Sequence, residues 1–211
     1  MTRPAAGGGR WVDVPPARLA RWIDNFRTRH GEVASTVDDG VLLLRAVDGS
    51  EAECHPAPGA RTTSDLDAFV EAAAEPRRIG LVLARKAAVA VGVADGDELV
   101  THKVDTAYVQ SRTAAGGWSQ QRFARRRVNQ AKAAAGDASD LVLRLIVPEA
   151  SRLTAVVTGG DRKTVESIMA DPRLAKLTPL VADRLLNVAE PRLAVLQEAV
   201  GAARSVRIKV T

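Results

Sequence analysis

The sequence predicts a layered α/β (α+β) protein in which a mixed sheet begins with an antiparallel three-strand meander and carries helices on its faces. Three apolar segments follow one another between residues 79 and 106, and their connections are too short for anything but antiparallel pairing. Segments with helical and strand periodicity then alternate to residue 211. This length, with 46% hydrophobic residues, suits one domain or one domain with a small subdomain.

Residues 1–75 are predicted to form an N-terminal subdomain of helices and short strands. Its first ten residues, MTRPAAGGGR, are glycine-rich and are expected to be a disordered tail. Pro15 and Pro16 suit the first turn of a helix whose apolar residues recur at i, i+3, i+4 and i+7, and Gly31 is a natural stop. The elements expected after it are three short strands and a capped helix, at residues 33–37, 41–46, 51–55 and from Ser64.

Pro76 marks the expected start of a second domain, residues 76–211. Its meander is predicted at 79–84, 87–93 and 98–106. A glycine-rich loop comes next, and the elements expected after it are helices over 121–135 and 139–147, a strand at 153–158, a helix capped by Asp161, a strand near 180–188, a helix opened by Pro191 and a closing strand over 206–210.

The distribution of charge is more informative than the net charge of +5. No acidic residue lies between Asp105 and Asp137, and the cations in that stretch are Arg112, Arg122, Arg125, Arg126, Arg127 and Lys132. A basic run without acids is the pattern expected of a contact with a phosphate backbone. The alternative interpretation is a solvated helix face, but the adjoining glycine loop favours RNA contact.

Several classes of site are excluded by residue counts and spacing. One cysteine leaves no internal disulfide or cysteine-based metal site, and the three histidines lack zinc-ligand spacing. Neither a GxSxG elbow nor a Walker A motif occurs, so we expect no cofactor and no metal. The N-terminus lacks an apolar signal region and no stretch is long enough to span a membrane, which predicts a cytoplasmic protein without a membrane partner.

Two further motifs have more than one interpretation. The stretch VVTGGDRKT, residues 156–164, places glycines between a strand and a helix. It is typical of a tight turn, although glycines there can also hold a phosphate. Asp105, Asp161 and Glu166 keep open a metal-dependent nuclease, which needs clustered carboxylates.

The loop TAAGGWSQQ, residues 113–121, has the composition of a tip that enters another molecule. Gly116 and Gly117 permit positive φ and allow the backbone to approach a partner closely. A glutamine amide both donates and accepts hydrogen bonds but has no useful pKa, so it orients water better than it removes a proton. Such a tip indicates insertion into an active site that a partner largely builds.

Together, the meander, the glycine loop with glutamine and the basic helix resemble a known family over roughly residues 76–211. The pattern is similar to the catalytic middle domain of archaeal and eukaryotic peptide-chain release factors, whose loop carries Gly-Gly-Gln. It is closer to an actinobacterial branch of the VLRF-type peptidyl-tRNA hydrolases of ribosome quality control. Their loop has a glycine, two residues and a glutamine, which here is Gly117-Trp118-Ser119-Gln120.

The resemblance implies an RNase H-like topology and release of nascent chains from stalled large ribosomal subunits. It implies that Gln120 is catalytic, with Gly116 and Gly117 at the loop tip and Gln121 as the alternative glutamine. The RNA-binding residues implied are Arg112, Trp118, Arg122, Arg125, Arg126, Arg127 and Lys132. The partners implied are the large subunit, ribosomal RNA and peptidyl-tRNA, and the chain is expected to be a monomer. The rival interpretations are a non-catalytic ribosome- or RNA-binding protein and an RNase H-like nuclease.

Overall fold

A computed structural model describes residues 2–4, 8–85, 88–106 and 133–211. The chain divides into two compact units, Met1–Arg77 with Gly201–Thr211 and Arg78–Val200. The strands are β1 (Thr2–Pro4), β2 (Arg10–Val14), β3 (Val33–Asp38), β4 (Val41–Ala46), β5 (Glu51–His55), β6 (Arg78–Arg85), β7 (Ala88–Asp95), β8 (Glu98–Thr106), β9 (Ala155–Gly160), β10 (Val181–Leu186) and β11 (Val206–Val210). The helices are α1 (Pro16–His30), α2 (Leu66–Ala74), α3 (133–145), α4 (Arg162–Met169) and α5 (Leu193–Arg204).

The first unit is built on a six-stranded antiparallel sheet with the order β1-β2-β11-β5-β4-β3. The strands predicted at 33–37, 41–46 and 51–55 are confirmed as β3, β4 and β5. The closing strand, which the sequence grouped with residues 76–211, lies instead between β2 and β5, where Ile208 pairs with Val12 and Cys54. Its alternating Val206 and Ile208 are fully buried, so they fill the inner face of this sheet.

The prediction of a disordered tail over residues 1–10 is wrong for β1 and for Arg10. β1 pairs with β2 in an antiparallel ladder that joins Thr2 to Val12 and Pro4 to Arg10. Gly8 and Gly9 precede β2 with φ of 95° and 81°, a backbone conformation that glycine adopts without strain. Backbone pairing with an exposed edge needs no apolar side chains, so composition alone gave no sign of this strand.

Two helices contribute the apolar side chains that cluster with the inner face of this sheet. Leu19, Ile23 and Phe26 of α1 belong to that core with exposures of 0%, 3% and 5%, which confirms the predicted helix and its stop at Gly31. The cap of α2 is Asp65 rather than the predicted Ser64, because the Asp65 carboxylate accepts a 2.9 Å hydrogen bond from the Ala68 N–H.

Cys54 lies in this core with no exposed surface, and burial raises the pKa of its thiol to about 12. Because the thiolate is the nucleophile, we expect iodoacetamide to leave the folded protein unmodified at about pH 8 and to react readily in denaturant. Mass spectrometry after timed alkylation measures this unambiguously, since Cys54 is the chain's one cysteine. Equal labelling rates with and without denaturant would contradict the burial.

The second unit holds a five-stranded mixed sheet with the order β10-β9-β6-β7-β8. Strands β6, β7 and β8 are the predicted antiparallel meander, while β9 runs parallel to β6 and β10 runs parallel to β9. The predicted fold class, a mixed sheet that begins with a meander, is therefore confirmed. The chain can place β9 beside β6 only after a long crossover, and the glycine loop and α3 lie within that crossover.

Helix α3 differs from the sequence prediction of separate helices on either side of residues 136–138. Within the described residues it runs unbroken from 133 to 145, through Gly136. Ser139 lies inside α3 rather than at the start of a new helix. Its hydroxyl donates a 2.9 Å hydrogen bond to the Ala135 carbonyl, one turn back in the same helix. A nine-residue 3-10 helix, Pro172–Leu180, was also not predicted. Among the described helices none has the length and hydropathy needed to cross a bilayer.

Candidate functional site

The candidate site is the segment between β8 and α3. Every predicted catalytic and RNA-binding residue lies outside the residues that the structure describes: Gln120, Gly116, Gly117, Gln121, Arg112, Trp118, Arg122, Arg125, Arg126, Arg127 and Lys132. Their roles remain predictions. The structure does define the two elements that flank the segment.

The element before the segment is an edge strand of the mixed sheet. β8 pairs with β7 from Glu98 to Thr106 with one irregularity at Val100, and the last pair joins Thr106 to Ala88. β7 is buried at every position from Ala88 to Ala94, so its neighbour β8 is attached to a closely packed strand. The chain therefore enters the candidate site from a fixed sheet edge.

The element after the segment is held by apolar packing. Val142 and Ile146 have no exposed surface, and Ala138 is 2% exposed. They share one cluster with Val82 of β6 and Val91 of β7. Helix α3 and Ile146, the residue directly after it, therefore belong to the core of the second unit. Helix α3 is thus anchored in this core, and β8 is held to the same sheet by its pairing with β7, so both described elements beside the candidate segment belong to the second unit.

The glycine pair of the VVTGGDRKT motif lies at the end of β9 and packs against the protein itself. A Cβ at Gly159 would lie 2.8 Å from Leu83 Cδ2 and 3.0 Å from Leu186 Cβ. Gly160 has φ of +100°, and a Cβ there would overlap the carbonyl oxygen of Ala84. Neighbouring strands cover these glycines, which supports the tight-turn interpretation over a phosphate cradle.

Asp161, a candidate metal ligand in the nuclease interpretation, is the N-cap of α4 as predicted. Its Oδ1 accepts hydrogen bonds from the backbone N–H and the hydroxyl of Thr164, at 2.9 and 2.7 Å. Glu166 lies 3.9 Å from Arg162, one helical turn back. Among the described residues, no three His, Cys, Asp or Glu side chains are grouped in a way that could hold a metal ion. The described carboxylates therefore give the nuclease interpretation no support.

We expect Asp161→Ala to lower the free energy of unfolding by about 1 kcal/mol, because it removes the cap. Hydrogen bonds from Thr164 lower the pKa of the Asp161 carboxyl below its ordinary value of 3.8. A lowered folded-state pKa gives stabilisation that is present above the unfolded value and is lost as the pH falls through the folded value. Asp161→Asn keeps a cap that does not titrate. The stability of this variant relative to wild type should therefore rise as the pH falls from about 5 to about 3. Urea unfolding across that range tests this, and parallel curves for the two proteins would contradict it.

Comparison with known proteins identifies the family. The family model described as "Actinobacteria/chloroflexi VLRF1 release factor" matches residues 77–209, more than half of the chain. This chain belongs to the VLRF1 release factor family. The resemblance predicted from the loop and the strand order is thereby confirmed at the level of the family, and the match includes the candidate segment.

Solved structures resemble this VLRF1 chain at low sequence identity. The archaeal translation termination factor aRF1 is 19% identical with a TM-score of 0.44, over 92% of this chain and 63% of that one. The Saccharomyces cerevisiae translation termination-like factor Dom34 is 8% identical with a TM-score of 0.33, over 94% of this chain and 65% of that one. Archaeoglobus fulgidus Pelota is 11% identical with a TM-score of 0.29, over 97% and 67%. The VLRF1 chain thus spans less than two thirds of aRF1, and no curated protein matches it.

Proposed function

We propose that this protein is a peptidyl-tRNA hydrolase that frees nascent chains from stalled large ribosomal subunits in the cytoplasm. The observation that carries the proposal is the family match, because residues 77–209 include Gly117-Trp118-Ser119-Gln120 and the basic residues that follow. The partners are the large subunit, its ribosomal RNA and peptidyl-tRNA. The monomeric chain needs no cofactor, because a neutral amide can position water without one.

The proposed reaction is hydrolysis of the ester that joins the peptide to the 3′ ribose of tRNA. The loop enters the peptidyl transferase centre, and Gln120 places a water molecule against the ester carbonyl through its side chain or its backbone N–H. The water oxygen forms the new bond to the carbonyl carbon, the bond to the ribose oxygen breaks, and a proton passes to that oxygen. Orientation of this kind contributes up to roughly 7–11 kcal/mol in model reactions.

Ribosomal RNA supplies the electrostatic part of this mechanism. A glutamine cannot act as a general base, so proton movement needs groups from outside the loop. The flanking elements support this division of roles, because β8 is paired with β7 and α3 is packed in the core of the second unit. The protein contributes a positioned amide, and the ribosome contributes the surrounding charges.

The arginines after the loop are proposed to dock its base on RNA phosphates. If residues 121–132 continue the helical periodicity predicted for them, Arg122, Arg125 and Arg126 share one face and Arg127 points elsewhere, since successive residues differ by about 100°. Trp118 either stacks on a nucleotide or closes the base of the loop.

A release assay tests the proposal against its rivals. Stalled large subunits that carry labelled peptidyl-tRNA are mixed with the protein, and the peptide and the tRNA are resolved separately. Free peptide with intact tRNA is the expected product. Cleaved tRNA, formed only without EDTA, would instead identify the nuclease. Binding to the subunit without either product would identify a non-catalytic ribosome-binding protein, and both outcomes would refute the hydrolase.

A further inference from the structure

Helix α1 of the first unit carries three exposed arginines on one side. Arg18, Arg21 and Arg29 are all exposed, and within the described residues none of them forms an ion pair. At about 100° per residue they fall within an arc of about 80°, so they form one row that we call the arginine stripe. The stripe is about 16 Å long, at 1.5 Å rise per residue.

Some exposed arginines elsewhere in the described chain have carboxylate partners, although Arg27 and Arg144 form no ion pair within the described residues. Arg45 contacts Glu51 at 2.7 Å, Arg61 contacts Glu75 at 3.3 Å and Arg152 contacts Glu149 at 3.4 Å. On α1 the one acidic residue is Asp24, against four arginines. Arginines therefore outnumber the acidic residue on α1, and this part of the surface has a net positive charge.

An aromatic row runs beside the stripe. The rings of Trp22 and Phe26 are stacked with centroids 5.5 Å apart and an interplanar angle of 13°, and Phe26 lies 4.7 Å from the His30 ring. His30 is held in turn by Asp48, whose Oδ2 lies 2.8 Å from its Nδ1. Trp22 is only partly buried, so a flat, polarisable surface lies next to the cationic row. Arginine beside a partly exposed aromatic ring is a combination that RNA-binding surfaces use.

We propose that the arginine stripe is a second RNA-binding surface, which holds a phosphodiester backbone along α1. The family match begins at residue 77, so it assigns no role to this helix. The choice of RNA among polyanions rests on the proposed function. The stripe differs from the loop in that it would add affinity without contributing to ester hydrolysis.

A membrane surface fits α1 poorly. Amphipathic helices bind bilayers by inserting their apolar face. The apolar residues of α1 are already used, since Leu19, Ile23 and Phe26 are at most 5% exposed in the core of the first unit. Only the charged face is available, and its contact is with an anionic backbone rather than with acyl chains.

The test compares two variants with the same loss of charge. The stripe variant is Arg18→Gln/Arg21→Gln/Arg29→Gln, in which glutamine keeps a similar helix propensity. The control variant is Arg45→Gln/Arg61→Gln/Arg152→Gln, which removes three arginines that have carboxylate partners. Binding of a fluorescein-labelled RNA hairpin to each full-length protein is measured by anisotropy over a range of salt concentrations, after circular dichroism has shown that both variants fold.

Each phosphate contact contributes about 0.7–0.9 to the slope of log affinity against log salt. The stripe variant should therefore lose about 2 units of slope, and the control should keep the wild-type slope. A fourfold rise in salt would then weaken wild-type binding about 20-fold more than it weakens binding of the stripe variant. Equal slopes for the two variants would overturn the inference. So would tighter binding of wild type to phosphatidylglycerol–phosphatidylcholine vesicles than to RNA.

A single charge reversal, Arg21→Glu, repeats the binding test at one position of the stripe. Arg21 is the stripe residue farthest from the buried face of α1, so this substitution is the least able to disturb folding. Peptide release is a separate readout at saturating protein. Normal release with equal RNA slopes would refute the stripe alone. A slope difference without any release by wild type would refute the proposed hydrolase and leave the stripe standing.

Discussion

Gln120→Ala is expected to slow peptide release by at least about 100-fold while leaving the protein folded. The estimate comes from enzymes in which loss of one positioned hydrogen-bonding group costs about 10²–10³ in rate. Placement of water is the one chemical role that the loop is proposed to have, so removal of the acting amide should remove most of the rate enhancement. The measurement is single-turnover release from stalled large subunits at saturating protein.

Gln121→Ala is the matched control, since it removes the same side chain one position later. If Gln120 is the acting residue, the Gln121 variant should release peptide within a few-fold of wild type. The reverse result would transfer the role to Gln121, and full activity in both single variants would refute an amide-based mechanism. Thermal unfolding of both variants should match wild type, which separates a loss of chemistry from a loss of structure.

The elements with a clear apolar period could be predicted from the sequence. Leu19, Ile23 and Phe26 recur at helical spacing, and the structure buries those three residues in the core. The short connections of the meander also left antiparallel pairing as the sole solution, and β6, β7 and β8 follow it. In both cases local periodicity and the packing of the folded chain point to the same answer.

The sequence did not predict which sheet each strand joins, or the contacts that depend on backbone hydrogen bonds. The alternation of Val206 and Ile208 identifies a strand, but nothing in that pattern says which sheet contains it. Arg77, next to the expected domain boundary at Pro76, is 6% exposed and donates to the Ala72 carbonyl at 2.8 Å near the end of α2. A buried arginine that satisfies helix carbonyls has no periodic signal. The candidate site rests on residue chemistry and family membership, because its side chains lie outside the described residues.

Gly160→Ala is expected to destabilise the second unit by about 3 kcal/mol or more. A non-glycine residue in the left-handed region costs about 1–2 kcal/mol, and an overpacked side chain adds about 1–3 kcal/mol. Both costs arise here, because φ is +100° and the new Cβ would overlap the Ala84 carbonyl. That same carbonyl accepts the Asp161 N–H at 2.7 Å, so the clash cannot be relieved without loosening the β9–α4 turn. A chain of this length should melt roughly 6–12 °C lower.

Gly136→Ala makes the same chemical change in the same unit, at an exposed position of α3. A Cβ there meets nothing within 4 Å, so alanine should stabilise the helix by about 0.5–1 kcal/mol. Calorimetry of wild type and the two variants should therefore place the two shifts on opposite sides of the wild-type melting temperature. If Gly160→Ala kept its melting temperature but weakened phosphate or RNA binding, the glycines would belong to an anion site instead of a turn. The direct overlap with Ala84 is the reason to expect the opposite.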